Sequence, residues 1–169
     1  MTLLVLIDLQ KGMLNRSTEH LVERVDDLCK KQKQNKMFNK VVALKFVNQP
    51  GSPQIKLLGW TRMIREEEQE LLPSVQNIAD EVFVKHTYTG LTAELMDYIR
   101  ANGVSHVTIA GIDTDICVLA TALACFEACI PCKVLEHYTA SDAGEEYHKA
   151  GIMCIKHIIG HTSVSSVIY

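Results

Sequence analysis

Short, continuous runs of apolar residues recur along this chain, and they predict buried β-strands. The runs are rich in β-branched side chains, and polar or glycine residues follow each of them. They occupy residues 3–9, 41–47, 81–85, 106–110 and 133–137, and a last strand is predicted near Ile158 or Val164. Runs without polar alternation are typical of parallel strands that are covered on both faces.

Segments with helical spacing separate these runs. Residues 18–34 place Leu21, Val25 and Leu28 on one face of an otherwise charged segment. Further helices are predicted at residues 92–102, 119–128 and 145–156. Because strands and helices alternate throughout, we expect an α/β fold in which a mostly parallel sheet carries helices on both faces. The length of 169 residues is typical of a single domain, residues 1–169.

Charge and hydropathy exclude several classes of partner. The net charge is −3, and the only basic run, at residues 30–33, falls on a predicted surface helix, so nucleic acid is not expected as a partner. No apolar stretch is long enough to span a membrane. The N-terminus has no basic region and reaches Asp8 too early for a signal peptide, so we expect a cytoplasmic protein with no membrane association.

Six cysteines are expected to be reduced thiols in that compartment. Cys129 and Cys132 have the spacing of a redox dithiol. Such a motif places its first cysteine at the start of a helix, whereas Cys129 falls near a predicted helix end. A zinc site would need a second matching pair, and the chain has none. A structural role is therefore favoured, with dithiol chemistry as a minor hypothesis.

The segment 111–118 joins a predicted strand to a predicted helix and places Cys117 in the first turn of that helix. Free backbone N–H groups and the helix dipole favour a thiolate there, so we expect the Cys117 thiol to ionise easily. The same N–H groups can hold an oxyanion. The alternative is a small buried cysteine that packs the helix against the sheet.

Three reactive side chains fall at the carboxyl ends of predicted strands: Asp8, Lys85 and Cys117. Strand ends of a parallel sheet gather at one edge, so these side chains can meet. The carboxylate can act as a general base towards the thiol, and the lysine can stabilise both charged forms.

Loops near the same edge supply candidate walls for a substrate pocket. Met13, Trp60 and Tyr88 lie on such loops. Each has a structural alternative, because Trp60 can anchor its segment to the body of the domain and Tyr88 can be a packing residue.

Three segments of this chain resemble motifs of the isochorismatase-like superfamily of cysteine hydrolases, which includes nicotinamidases and N-carbamoylsarcosine amidohydrolase. Leu6-Ile7-Asp8-Leu9-Gln10 is similar to the first-strand motif that carries the catalytic aspartate. Val82-Phe83-Val84-Lys85 resembles the strand that ends in the catalytic lysine. Gly111-Ile112-Asp113-Thr114-Asp115-Ile116-Cys117-Val118 resembles the nucleophile segment.

This resemblance implies a Rossmann-like, three-layer fold with six strands and a homo-oligomer, dimeric or larger. It implies a cis peptide bond between Ile112 and Asp113, and an oxyanion hole formed by the backbone N–H groups of Asp113 and Cys117. The implied activity is hydrolysis of a C–N bond in a small amide or carbamoyl compound, with Asp8, Lys85 and Cys117 as the catalytic residues. The alternative is a non-catalytic binding or scaffold protein on the same fold.

Two positions depart from the family pattern. Metal-dependent nicotinamidases share an Asp-x-His motif after the second strand, but this chain has Asn48-Gln49 there. We therefore expect no metal and no other cofactor, and nicotinamide becomes a weaker candidate substrate. Met13 stands in a region where the family often has an aromatic residue, and it can still cover an apolar substrate face.

Overall fold

The apolar runs form one parallel sheet of six strands in the computed structural model, which describes residues 1–166. The strands are β1 (Thr2–Ile7), β2 (Lys40–Phe46), β3 (Glu81–Lys85), β4 (His106–Ile112), β5 (Cys132–Ala140) and β6 (Val164–Ser165). Their order across the sheet is β3-β2-β1-β4-β5-β6, and every neighbouring pair is parallel. The strand order reverses between β1 and β4, the place where open α/β sheets bind ligands.

Helices cover both faces of this sheet. They are α1 (Leu21–Asn35), α2 (Pro53–Leu58), α3 (Glu66–Gln69), α4 (Pro73–Ile78), α5 (Ala93–Ala101), α6 (Leu119–Glu127) and α7 (Glu145–Ile159). Successive β1 residues point to opposite faces: Leu4 packs with the α1 and α4 side, and Val5 packs with the α5, α6 and α7 side. The expected three-layer α/β fold is confirmed. None of the helices within residues 1–166 is long and apolar enough to cross a bilayer.

Several boundaries differ from the sequence prediction. The three short helices α2, α3 and α4 were not predicted, because fewer than two turns leave no readable helical period. The strand predicted at residues 133–137 is longer in the structure, where β5 ends at Ala140, and Ile158 lies in α7, which leaves Val164–Ser165 as the last strand. Residues 167–169, which follow the last predicted strand, lie outside the described part of the chain.

Gly111 brings β4 close to β1 beside the site described below. Its φ is +137°, and a Cβ atom there would overlap the backbone carbonyl of Ile7. Only glycine combines this backbone conformation with so close an approach. The glycine therefore sets the spacing between the strands that precede Asp8 and Cys117.

Candidate active site

Asp8, Lys85 and Cys117 meet at the carboxyl edge of the sheet. Lys85 ends β3, Asp8 directly follows β1, and Cys117 lies in a π-helical turn, Thr114–Val118, that joins β4 to α6. The Lys85 Nζ lies 2.8 Å from Asp8 Oδ2 and 3.4 Å from Cys117 Sγ. All three residues are buried. The structure thus brings together the three reactive side chains that the sequence places at separate strand ends.

The Lys85 ammonium is fully surrounded by groups that favour its charge. It donates to the backbone carbonyls of Thr87, at 3.0 Å, and Tyr88, at 3.4 Å. It also lies 4.9 Å from the centre of the Phe46 ring, a cation–π distance. Burial lowers the pKa of Lys85, but the charge of Asp8 and the interaction with Cys117 outweigh this effect and raise the pKa overall. Lys85 is therefore a fixed positive charge.

Asp8 is a buried carboxylate in an unusual backbone conformation. Its φ is +53°, in the left-handed region that aspartate tolerates better than most residues. Apart from the Lys85 contact, neither oxygen accepts a hydrogen bond of regular geometry among residues 1–166. Burial raises the pKa of Asp8, although the charge of Lys85 opposes the increase. Asp8 is consequently a stronger proton acceptor than an ordinary aspartate.

The Cys117 thiol does not ionise easily, which corrects the expectation drawn from its place at a helix start. Burial raises its pKa well above the ordinary value, and the neighbouring Asp8 charge raises it further. The Lys85 charge acts in the opposite direction without cancelling these effects. Desolvation of the 4% exposed thiol and repulsion from the neighbouring carboxylate both disfavour the thiolate. The thiol is therefore protonated in the resting protein.

Thr121, which the sequence analysis did not single out, fixes the nucleophile turn. Its hydroxyl donates to the Cys117 carbonyl at 2.7 Å and accepts the Gly90 N–H at 2.7 Å. Gly90 belongs to the loop that follows Lys85. One buried hydroxyl thus connects the segment that carries the thiol with the segment that carries the ammonium.

Asp113 carries a buried carboxyl group as well as a candidate oxyanion N–H. The peptide bond between Ile112 and Asp113 is cis. The Asp113 Oδ1 accepts the Asp142 N–H at 2.6 Å. Burial raises the pKa of Asp113 to about 7, and nearby carboxylates contribute to the increase. The sequence motif predicts a role for the Asp113 backbone only, and it does not show that this side chain is buried beside the thiol.

A cavity of about 280 Å³ opens beside the thiol. The structure places the three predicted wall residues, Met13, Trp60 and Tyr88, in its lining together with Cys117 and Asp113. The Trp60 ring also packs against Phe46 at 6.0 Å between centroids, so it anchors its segment as well. The lining contains five residues that were not predicted, namely Phe46, Gln54, Leu58, Ile116 and Asp142.

Asn48 lies in the segment after β2 that was compared with the Asp-x-His motif of metal-dependent nicotinamidases, and its side chain makes structural hydrogen bonds here. Its amide nitrogen donates to the carbonyls of Trp60 and Arg62 at 3.1 and 3.0 Å. Its amide oxygen accepts the Ser52 hydroxyl at 2.6 Å. Across residues 1–166, no three His, Cys, Asp or Glu side chains are grouped so that they could hold a metal ion.

The Cys129 and Cys132 pair lies away from this cavity. Cys129 is exposed just beyond the end of α6, whereas Cys132 begins β5. The Cys132 thiol lies 3.6 Å from the Ala122 carbonyl and interacts with the buried Cys125. Dithiol chemistry between Cys129 and Cys132 stays a prediction.

Solved structures with the same fold include several enzymes. A nicotinamidase from Bacillus subtilis superposes with a TM-score of 0.83 and 18% identity, over 98% of this chain and 99% of the other. An N-carbamoylsarcosine amidase from Thermoplasma acidophilum gives 0.78 and 21%, over 97% and 95%. A pyrazinamidase from Pyrococcus horikoshii, solved in complex with zinc, gives 0.79 and 18%, over 99% of both chains.

Sequence comparison identifies the family directly. No curated protein sequence matches this chain significantly. The family profile of the isochorismatase domain, however, matches residues 2–165. This match includes all three strand-end motifs and nearly the whole chain, so the protein belongs to the isochorismatase domain family.

Proposed function

We propose that this protein is a cysteine amidohydrolase that cleaves a C–N bond in a small, non-peptide amide or carbamoyl compound. The observation that carries the proposal is the contact of a carboxylate and an ammonium with a thiol that lines a largely apolar cavity. Family membership supports it, and so does the shared fold with enzymes named as amidases. The cavity has roughly the size of a small-molecule site, and the Cys117 thiol belongs to its lining.

The first half of the reaction forms a thioester. Asp8 accepts the Cys117 proton as the sulfur attacks the carbonyl carbon, so a free thiolate need not accumulate. The backbone N–H groups of Asp113 and Cys117 stabilise the oxyanion. Lys85 supplies the positive charge that stabilises the developing thiolate. The protonated Asp8 then gives its proton to the leaving nitrogen, which departs as an amine or ammonia.

The second half restores the thiol. Asp8 takes a proton from a water molecule that attacks the thioester carbonyl, and the same N–H groups hold the second oxyanion. Collapse of this intermediate releases the acid, and the sulfur recovers its proton from Asp8. The net reaction adds water across the C–N bond and leaves the three side chains unchanged.

A panel of small amides, ureas and carbamoyl compounds tests this proposal. We expect ammonia or amine release from at least one compound, and rapid acid quenching should trap its acyl group on the peptide that contains Cys117. The peptide that contains Cys29, a buried cysteine outside the cavity, should remain unmodified in the same mass map. Turnover in which the acyl group never appears on Cys117 would contradict the thioester route.

A further inference from the structure

The cavity contains a carboxyl group for which the proposed reaction has no use. The Asp113 side chain is 5% exposed and lines the cavity beside Cys117. Its Oδ1 accepts the Asp142 N–H, and no other hydrogen bond to this carboxyl occurs among residues 1–166. The second oxygen is therefore available to a bound molecule.

A second acceptor without a partner lies in the same wall. Gln54, near the start of α2, is 5% exposed and lines the cavity. Its Oε1 is buried and has no hydrogen-bond partner in the described part of the chain. A buried acceptor without a donor is unfavourable. This oxygen is inaccessible in the structure, so the Gln54 side chain must turn before an N–H group of a bound molecule can reach it.

The charges of the lining have a single sign. Asp142 adds a second carboxyl group, and no Lys, Arg or His is found in the lining within the described residues. The Lys85 ammonium is occupied by Asp8 and by two backbone carbonyls. Arg62, whose charge acts on Asp142, donates to the Gly12 carbonyl. The cavity is therefore unfavourable for an anion.

Aromatic rings complete this environment. Phe46, Trp60 and Tyr88 line the cavity, and the face of an aromatic ring attracts cations as well as flat apolar groups. This lining favours a planar or compact bound group that carries positive charge and N–H donors. The carboxyl groups and the amide oxygen can accept its hydrogen bonds, and the aromatic rings can pack against it. A carboxylate in the same position would be repelled by the two carboxyl groups, and no positively charged side chain is found in the lining within the described residues to offset that repulsion.

We propose that Asp113, assisted by Asp142 and Gln54, selects small amides that carry a cationic nitrogen group and rejects amides that carry a carboxylate. This inference rests on the proposed function because it treats the selected amides as substrates. The charge preference of the cavity can be measured without any turnover. Asp113 is thus a specificity residue through its side chain and a candidate oxyanion donor through its backbone.

Benzamidinium, benzamide and benzoate provide a test, because they have nearly the same shape and differ in charge. Trp60 is the only tryptophan, so its fluorescence reports binding in the cavity. At pH 8, above the pKa of Asp113 at about 7, we expect wild type to bind benzamidinium at least about tenfold more tightly than benzoate. Asp113→Asn should reduce this ratio about tenfold, whereas Asp97→Asn, at an exposed aspartate on α5, should leave it unchanged.

Asp142→Asn keeps the backbone donor to Asp113 and provides a second variant should Asp113→Asn fold poorly. The preference of this variant for benzamidinium over benzoate is also expected to decrease. The inference is overturned by equal or tighter binding of benzoate, by a ratio that neither variant changes, or by no Trp60 response to any of the three compounds at millimolar concentration. Since these titrations involve no turnover, a benzamidinium preference without any amide hydrolysis would count against the proposed function and leave the charge preference intact.

Discussion

Cys117→Ala is expected to lower the rate of amide hydrolysis by about 10⁴-fold or more, on any compound that wild type cleaves. The reaction proposed for this site needs a sulfur that attacks the carbonyl carbon and then carries the acyl group. Neither Asp8 nor Lys85 can replace it, since the carboxylate is held by the ammonium at 2.8 Å and both are completely buried. The measurement is kcat/KM from ammonia release, wild type against variant.

Cys125→Ala is the matched control for this loss. Cys125 is also a buried cysteine, on α6, but it does not line the cavity. Its replacement should affect stability and leave kcat/KM within a few-fold of wild type. Full turnover by Cys117→Ala would contradict a covalent route, and a comparable loss in Cys125→Ala would assign the effect to packing instead of chemistry.

Lys85→Met is expected to lower the free energy of unfolding by about 3–5 kcal/mol. The substitution preserves most of the side-chain length but leaves the buried Asp8 without its positive partner. Removal of Lys85 also removes the main effect that opposes the raised pKa of Asp8. Asp8 then binds a proton more tightly in the folded state than in the unfolded state. Stability should therefore fall as the pH rises above the unfolded pKa of about 3.9, and the deficit should be larger at pH 8 than at pH 5.

Two further variants separate charge from packing in this experiment. Lys11→Met removes an exposed ion pair with Glu70 and should cost less than about 1 kcal/mol. Asp8→Asn combined with Lys85→Met removes both buried charges and should recover part of the lost stability. Urea denaturation at both pH values measures all of them. A Lys85→Met protein as stable as wild type at pH 8 would show that Asp8 does not carry a buried negative charge.

The layout of this site could be predicted because it depends on strand ends. Asp8 and Lys85 each close an apolar run, and Cys117 follows one after a glycine turn. A parallel sheet brings such ends to one edge whatever their separation in the chain. The pocket walls Met13, Trp60 and Tyr88 were predicted from the same topology, and all three line the cavity.

The electrostatics of the site could not be predicted in this way. The place of Cys117 at a helix start favours ionisation, but its burial and its distance from Asp8 appear only in three dimensions, and they reverse the direction of the pKa shift. The carboxyl of Asp113 and the amide of Gln54 were overlooked for a similar reason. A sequence motif shows which residue is present but not whether its side chain is desolvated or has a partner.

In the proposed reaction, the Asp8 carboxylate and the Cys117 thiol are electrostatically coupled. The pH dependence of Cys117 alkylation tests this coupling most directly. Iodoacetamide and peptide mass mapping give the rate at Cys117, with the exposed Cys154 as an internal reference. In wild type, the Cys117 profile should have its midpoint above the ordinary thiol pKa of about 8.5. Asp8→Asn removes the repelling charge and leaves Lys85 beside the sulfur, so the midpoint should move to lower pH while amide turnover falls. Identical Cys117 profiles in the two proteins would show that the carboxylate and thiol are not coupled, and would favour a binding protein on a hydrolase fold.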